Sequence, residues 1–136
     1  MEKQVTSSKA QVAKPEKIFD MQERTAVFSE NIISFCQKAK QDTITRPLIS
    51  QLIRSATSIG ANYTEANAAS SRKDFRNKVF ISKKEAQETR YWLRLLRSAS
   101  DANSSEIDNL ADECQQLIQI LQTIGSKVSE KKSHAS

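Results

Sequence analysis

The chain has 136 residues, of which 38% are hydrophobic and 27% charged, and a formal net charge of +5. That length fits one domain, and two Gly and two Pro in the whole chain exclude a turn-rich all-β fold. No run of apolar residues is long enough to span a bilayer, the N-terminal stretch has no apolar signal core, and Cys36 and Cys114 stand alone on apolar helical faces. Together these features predict a cytoplasmic protein with two small, reduced core cysteines.

Residues 1–17 carry Lys3, Lys9, Lys14 and Lys17 but little periodic apolar content, and read as a flexible basic arm. The folded domain is expected over 18–125. A first helix is predicted from Asp20 to Lys40, where Phe28, Ile32, Phe35 and Ala39 recur at steps of four and three. Thr45 is the expected N-cap of a second helix from Arg46 to Ala69, with Pro47 tolerated in its first turn. Gly60 inside that helix points to a slight kink or a close helix approach. Ser71 and Asp74 form an S-x-x-D capping box for a third helix, Arg72 to Ser98, whose row Phe75, Val79, Ser82, Ala86, Thr89, Leu93 and Leu96 is small in its middle. A fourth helix begins at Ser104 or Ser105 and carries Ile107, Leu110, Cys114, Leu117, Leu121 and Ile124, with Gly125 as its expected stop. Residues 126–136 read as a flexible tail. Four amphipathic helices on short loops predict an all-α, antiparallel up-down-up-down four-helix bundle.

Charge is uneven. Residues 72–97 hold nine Lys or Arg against three Asp or Glu, whereas residues 98–126 hold five acids and no base. One reading pairs the basic helix with the acidic one across the bundle surface. The other makes Arg72, Lys73, Arg76, Lys83 and Lys84 a phosphate-binding stripe, backbone-led and weakly sequence-specific. Catalytic chemistry has little to work with: His134 is the only histidine and lies in the tail, and there is no CxxC or phosphate-binding glycine loop. Glu85 and Glu88 form a lone E-x-x-E in a charged context, without the Glu-x-x-His of a di-iron bundle. No catalytic residue, metal site or cofactor is expected.

The second helix holds the least ordinary pattern. Gln51, Ser55, Ser58, Asn62 and Glu65 recur at steps of four and three beside the core row Leu52, Ala56, Ile59, Tyr63 and Ala66. Small polar side chains let another helix approach closely, and each hydroxyl can bond a carbonyl one turn back. Asn62 and Glu65 need partners if buried, with Lys83, Lys84 and Arg90 as the nearest supply; alternatively Glu65 reaches solvent. Tyr91, Trp92, Leu93, Leu95 and Leu96 supply more apolar surface than one face of a thin bundle hides, which points to a homo-oligomer.

These residues also carry a resemblance. "QLIRSATSIGANYTEA" followed by "KDFRNKVFISKKEAQETRYWLRLL" resembles the bacterial four-helix-bundle proteins encoded by intervening sequences in 23S ribosomal RNA genes. The shared pattern is Q-L-x-R-(S/A)-A-x-S-I-x-A-N-x-x-E-(A/G), then a basic F-x-x-K stretch, then E-A-x-E-x-x-x-W-L, over residues 24–124. Gly60 stands where the family often has Pro, and Tyr63 where a branched aliphatic is usual. The resemblance implies a ring-like homo-oligomer, with a pentamer favoured. It is also similar to the accessory variability proteins of diversity-generating retroelements, which implies RNA or DNA and a reverse transcriptase or other protein as partners. Gln51, Arg54, Ser58, Asn62, Glu65, Glu85, Glu88 and Trp92 are carried over as buried polar or interface positions. The expected function is thus a non-enzymatic, nucleic-acid-binding accessory bundle, with a structural scaffold for a protein partner as the alternative.

Overall fold

The computed structural model describes residues 21–99 and 104–135, with side chains through residue 128. Four helices account for them: α1 (Met21–Lys38), α2 (Thr45–Asn67), α3 (Arg72–Ala99) and α4 (Ser104–Ala135). Each packs against its neighbours in the chain, and α1 also packs against α4, while the diagonal pairs do not approach. That is the closed, four-sided arrangement of an up-down-up-down bundle. The antiparallel sense of α3 and α4 is visible in their partners. Lys83 meets Gln122, Arg90 meets Gln115 and Arg97 meets Asp108, so each heptad step up α3 is a heptad step down α4.

The apolar stripes meet along the axis. Phe28 and Ile32 of α1, Leu52 and Ile59 of α2, Leu93 and Leu96 of α3, and Leu117 and Leu121 of α4 are all buried there. Cys36 and Cys114 are free and buried in the same core. Burial raises their thiol pKa values to about 11 and about 12, which leaves both protonated and unreactive at neutral pH.

Local signals set the helix starts, with one correction. Ser71 Oγ accepts from the Asp74 N–H at 3.0 Å, as a capping box requires. At α2, however, the capping side chain is Asp42 rather than Thr45. Its Oδ1 accepts from the N–H groups of Ile44 and Thr45 at 2.9 and 2.8 Å. The Thr45 bond is the main cause that holds the Asp42 carboxyl below its usual pKa range. Thr45 closes the turn from inside, its hydroxyl donating to Lys40 O at 2.9 Å and accepting from the Asp42 N–H.

The expected stop at Gly125 is also absent. α4 runs on through residues 126–135, into the stretch expected as a tail, and Gly125 has no positive φ. The glycine has a packing reason instead: a Cβ there would stand 2.5 Å from Cζ of Phe80. Gly60 shows the close approach that its position suggested, since a Cβ would lie 3.0 Å from Thr25 Oγ1 of α1. The arm expected over 1–17 lies outside the described residues. Among the described residues, no helix is long and apolar enough to cross a membrane.

Candidate nucleic-acid interface

One side of α3 carries cations at helical repeat. Arg76, Lys83, Arg90 and Arg97 recur every seven residues, with Arg72 one turn before Arg76, so they share a flank of the helix. That flank lies along α4. Lys83 Nζ donates to Gln122 Oε1 at 2.6 Å, Arg90 donates to the side-chain carbonyl of Gln115, and Arg97 meets an acid, Asp108. Neutral amides hold Lys83 and Arg90 in place without cancelling their charge. Arg76 and Lys83 also stand over the Phe80 ring, at 5.1 and 5.7 Å from its centroid. Phe80 in turn lies on Gly125 of α4, so one aromatic ring aligns two cations on the seam. Lys73, Lys84 and Arg94 lie to one side and are exposed; with Arg72 they have no ion-pair partner among the described residues.

The acids of α4 largely face elsewhere. Arg24 of α1 forms a bidentate pair with Glu113, at 2.7 and 2.9 Å, and also donates to Gln116 Oε1 at 2.8 Å. The Glu113 hydrogen bond is the main reason the Arg24 pKa rises. Lys38 of α1 pairs with Glu106 at 3.4 Å. The pairing of α3 with α4 considered from sequence is therefore corrected: Arg97 with Asp108 spans that seam, while α1 takes up Glu113 and Glu106. Much of the charge of α3 remains uncancelled.

The polar row of α2 splits into two groups. Ser55 is wholly buried, and its hydroxyl lies 2.8 Å from that of Thr89 on α3. Each of the two is also within reach of a carbonyl one turn back, Leu52 O and Glu85 O. Ser82 of α3 donates to Ile59 O at 2.7 Å, so small hydroxyls line the α2–α3 contact and no buried side-chain polar atom lacks a partner among the described residues. Ser58 and Asn62 are half-buried and bond their own helix, Ser58 Oγ to Arg54 O and Asn62 Nδ2 to Ser58 O, each at 2.8 Å.

Glu65 does not join a buried network. Its side chain is 58% exposed, and its partner is Lys78 at 2.8 Å rather than Lys83, Lys84 or Arg90. Gln51 is exposed and accepts from Arg54 Nε at 3.0 Å. Arg54 then reaches across to α3, where it pairs with Glu85 at 3.3 Å and with Glu88. Trp92 donates its indole N–H to Glu88 at 3.0 Å, and this bond first, then Arg54, holds the Glu88 carboxyl below its ordinary pKa. The E-x-x-E pair thus serves a guanidinium; no group of residues suited to a metal occurs among the described residues.

The apolar excess at the end of α3 is smaller than its sequence suggested. Leu93 and Leu96 are core residues, Trp92 packs partly buried against the core and Leu95 is half-buried, which leaves Tyr91 as the exposed member, at 54%. Sequence reasoning missed Phe80, although its position four residues after Arg76 and three before Lys83 is the signal. It could not foresee that Arg24 claims Glu113, because that pair is fixed by tertiary packing alone.

A family model described as 23S rRNA-intervening sequence protein matches residues 17–123. Among solved structures, the chain is similar to a protein of unknown function from the S23 ribosomal protein family of Bacteroides thetaiotaomicron. The identity is 32% and the TM-score 0.68, covering 76% of this chain and 95% of that one. Among curated proteins none matches. With its two marked helices, its bundle and a match over most of its length, the chain belongs to the 23S rRNA-intervening sequence protein family.

Proposed function

We propose that this protein is a non-enzymatic, homo-oligomeric bundle that binds the phosphate backbone of RNA or DNA along α3. One observation carries the reading: Glu113 and Glu106 of α4 are engaged by Arg24 and Lys38 of α1, so Arg72, Lys73, Lys83 and Lys84 of α3 keep their charge for an external polyanion. Oligomerisation, with a pentameric ring favoured by resemblance, would repeat the row and add contacts by avidity. Two buried, protonated thiols and a histidine confined to position 134 favour a binding role over a catalytic one.

The competing reading is a scaffold for a protein partner, a reverse transcriptase included. It draws on the exposed Ile44, Ile81 and Tyr91. Titrating labelled RNA and DNA at rising salt separates the two. A phosphate-binding row gives binding at low salt that weakens linearly on a log–log plot, with a slope of about 0.7–0.9 per phosphate contact. A chain that binds neither polymer at low salt is a scaffold. Light scattering on the same sample should give a mass above the 15.3 kDa of one chain.

A further inference from the structure

The outward face of α3 differs from the flank beside α4. Lys84, Gln87, Tyr91 and Arg94 follow one another at steps of three, four and three, so they form one strip along the outside of the helix. Tyr91 is the one aromatic side chain among the described residues left mostly open, at 54% exposure. Its ring is steadied edge-to-face by Trp92, with centroids 5.1 Å apart and planes at 68°, and Trp92 is itself tied to Glu88. Phe80 cannot play the same part, because Arg76 and Lys83 cover its ring and Gly125 backs it. Lys84 below and Arg94 above have no ion-pair partner among the described residues, and helical rise sets them roughly 15 Å apart with Tyr91 between.

We infer that Tyr91, flanked by Lys84 and Arg94, is a base-stacking platform that makes single-stranded nucleic acid the preferred ligand. This rests on the phosphate-binding reading above and narrows it. An exposed aromatic ring between cations suits a strand whose bases are free to leave the stack. A duplex keeps its bases stacked inside and offers the ring nothing. Charge alone would favour the duplex, which carries more phosphates per unit length. A preference for the single strand would therefore be the mark of stacking, not of electrostatics.

The test uses the full chain with a labelled oligouridylate and a labelled RNA duplex of equal length, at one salt concentration. Wild type should bind the single strand more tightly. Tyr91→Ala should lose roughly 5- to 150-fold on the single strand, the range for one stacked base, and little on the duplex. Tyr91→Phe should retain the affinity. Trp92 is the only tryptophan, so its fluorescence should change when the single strand binds and not when the duplex does. If Tyr91→Ala binds both ligands as well as wild type, or weakens both equally, the platform is refuted while phosphate binding stands. If wild type binds neither, both readings fall. If light scattering shows that Tyr91→Ala changes the subunit number, Tyr91 is a subunit contact and the inference is overturned.

Discussion

The two flanks of α3 solve opposite problems with the same backbone. Toward α2, its inner contact is small and dry: Ser82 and Thr89 are wholly buried, and their hydroxyls end on Ile59 O, the Ser55 hydroxyl and Glu85 O, while the charged Lys78, Glu85 and Glu88 pair with α2 at the outer edge of that seam. Toward α4, it sets long, charged residues against glutamines and one aspartate, and the Phe80 ring against a glycine. The first flank holds the bundle together through close approach. The second presents charge, and the fold preserves that charge by sending Glu113 and Glu106 of α4 toward α1. Substitutions on the α2 flank should therefore change stability, and those on the α4 flank should change binding.

The largest stability loss is expected from overfilling the α2 flank. Ser82→Leu must place a branched side chain where a hydroxyl now touches backbone, which should cost about 1–3 kcal/mol in urea unfolding. An unchanged midpoint would show that α2 and α3 are not in close contact there. Thr89→Val keeps the shape and removes the hydroxyl, so a loss of about 1 kcal/mol is expected. Combined with Ser55→Ala, it should lose less than the sum of the two single changes, because the residues share one hydrogen bond.

Arg54→Ala should matter less. Arg54 and Glu88 have side chains 46% and 38% exposed, so solvent screens the pair and the loss should be roughly a few tenths of a kcal/mol. Its pH dependence has a definite sign. Glu88 has a folded-state pKa below its ordinary 4.5, so its contribution is fully present above that value and fades as pH falls through the folded-state pKa. The gap between wild type and Arg54→Ala should narrow on acidification below pH 4.5 in chemical unfolding curves. A gap that widens would assign Glu88 a different partner.

The legible part of the fold was the part written in periodicity. Steps of three and four located all four helices, and the small polar row of α2 pointed to a close approach by another helix. Three details were set by contacts that a single chain segment does not reveal. Gly125 looked like a helix stop, but it is small because Phe80 needs the space. Glu65 continued the spacing of Ser55, yet it stands at the solvent edge of the α2–α3 seam, where it pairs with Lys78 of α3 instead of joining the buried hydroxyls. Charge segregation between α3 and α4 was visible in sequence, whereas its resolution depended on α1 lying against α4. For the candidate interface, the cations were legible; which of them would be neutralised was not.

Charge for a polyanion on the α4-facing flank and N-terminal end of α3 is the proposed basis of binding. It is tested most directly by replacing Arg72, Lys73, Arg76 and Lys83 together with Gln. Gln keeps helix propensity, so the exposed Arg72 and Lys73 should each move stability by no more than about 0.5 kcal/mol, while the half-buried Arg76 and Lys83 should each cost about 0.5–1 kcal/mol more by leaving the Phe80 ring. The measurement is the log–log salt dependence of RNA affinity, wild type against the quadruple variant. Weaker binding to every sequence tried is expected, with a slope shallower by up to about 0.7–0.9 for each phosphate no longer neutralised. A folded variant with unchanged affinity and unchanged slope would contradict it, and would place the binding surface elsewhere, first on the arm that carries Lys3, Lys9, Lys14 and Lys17.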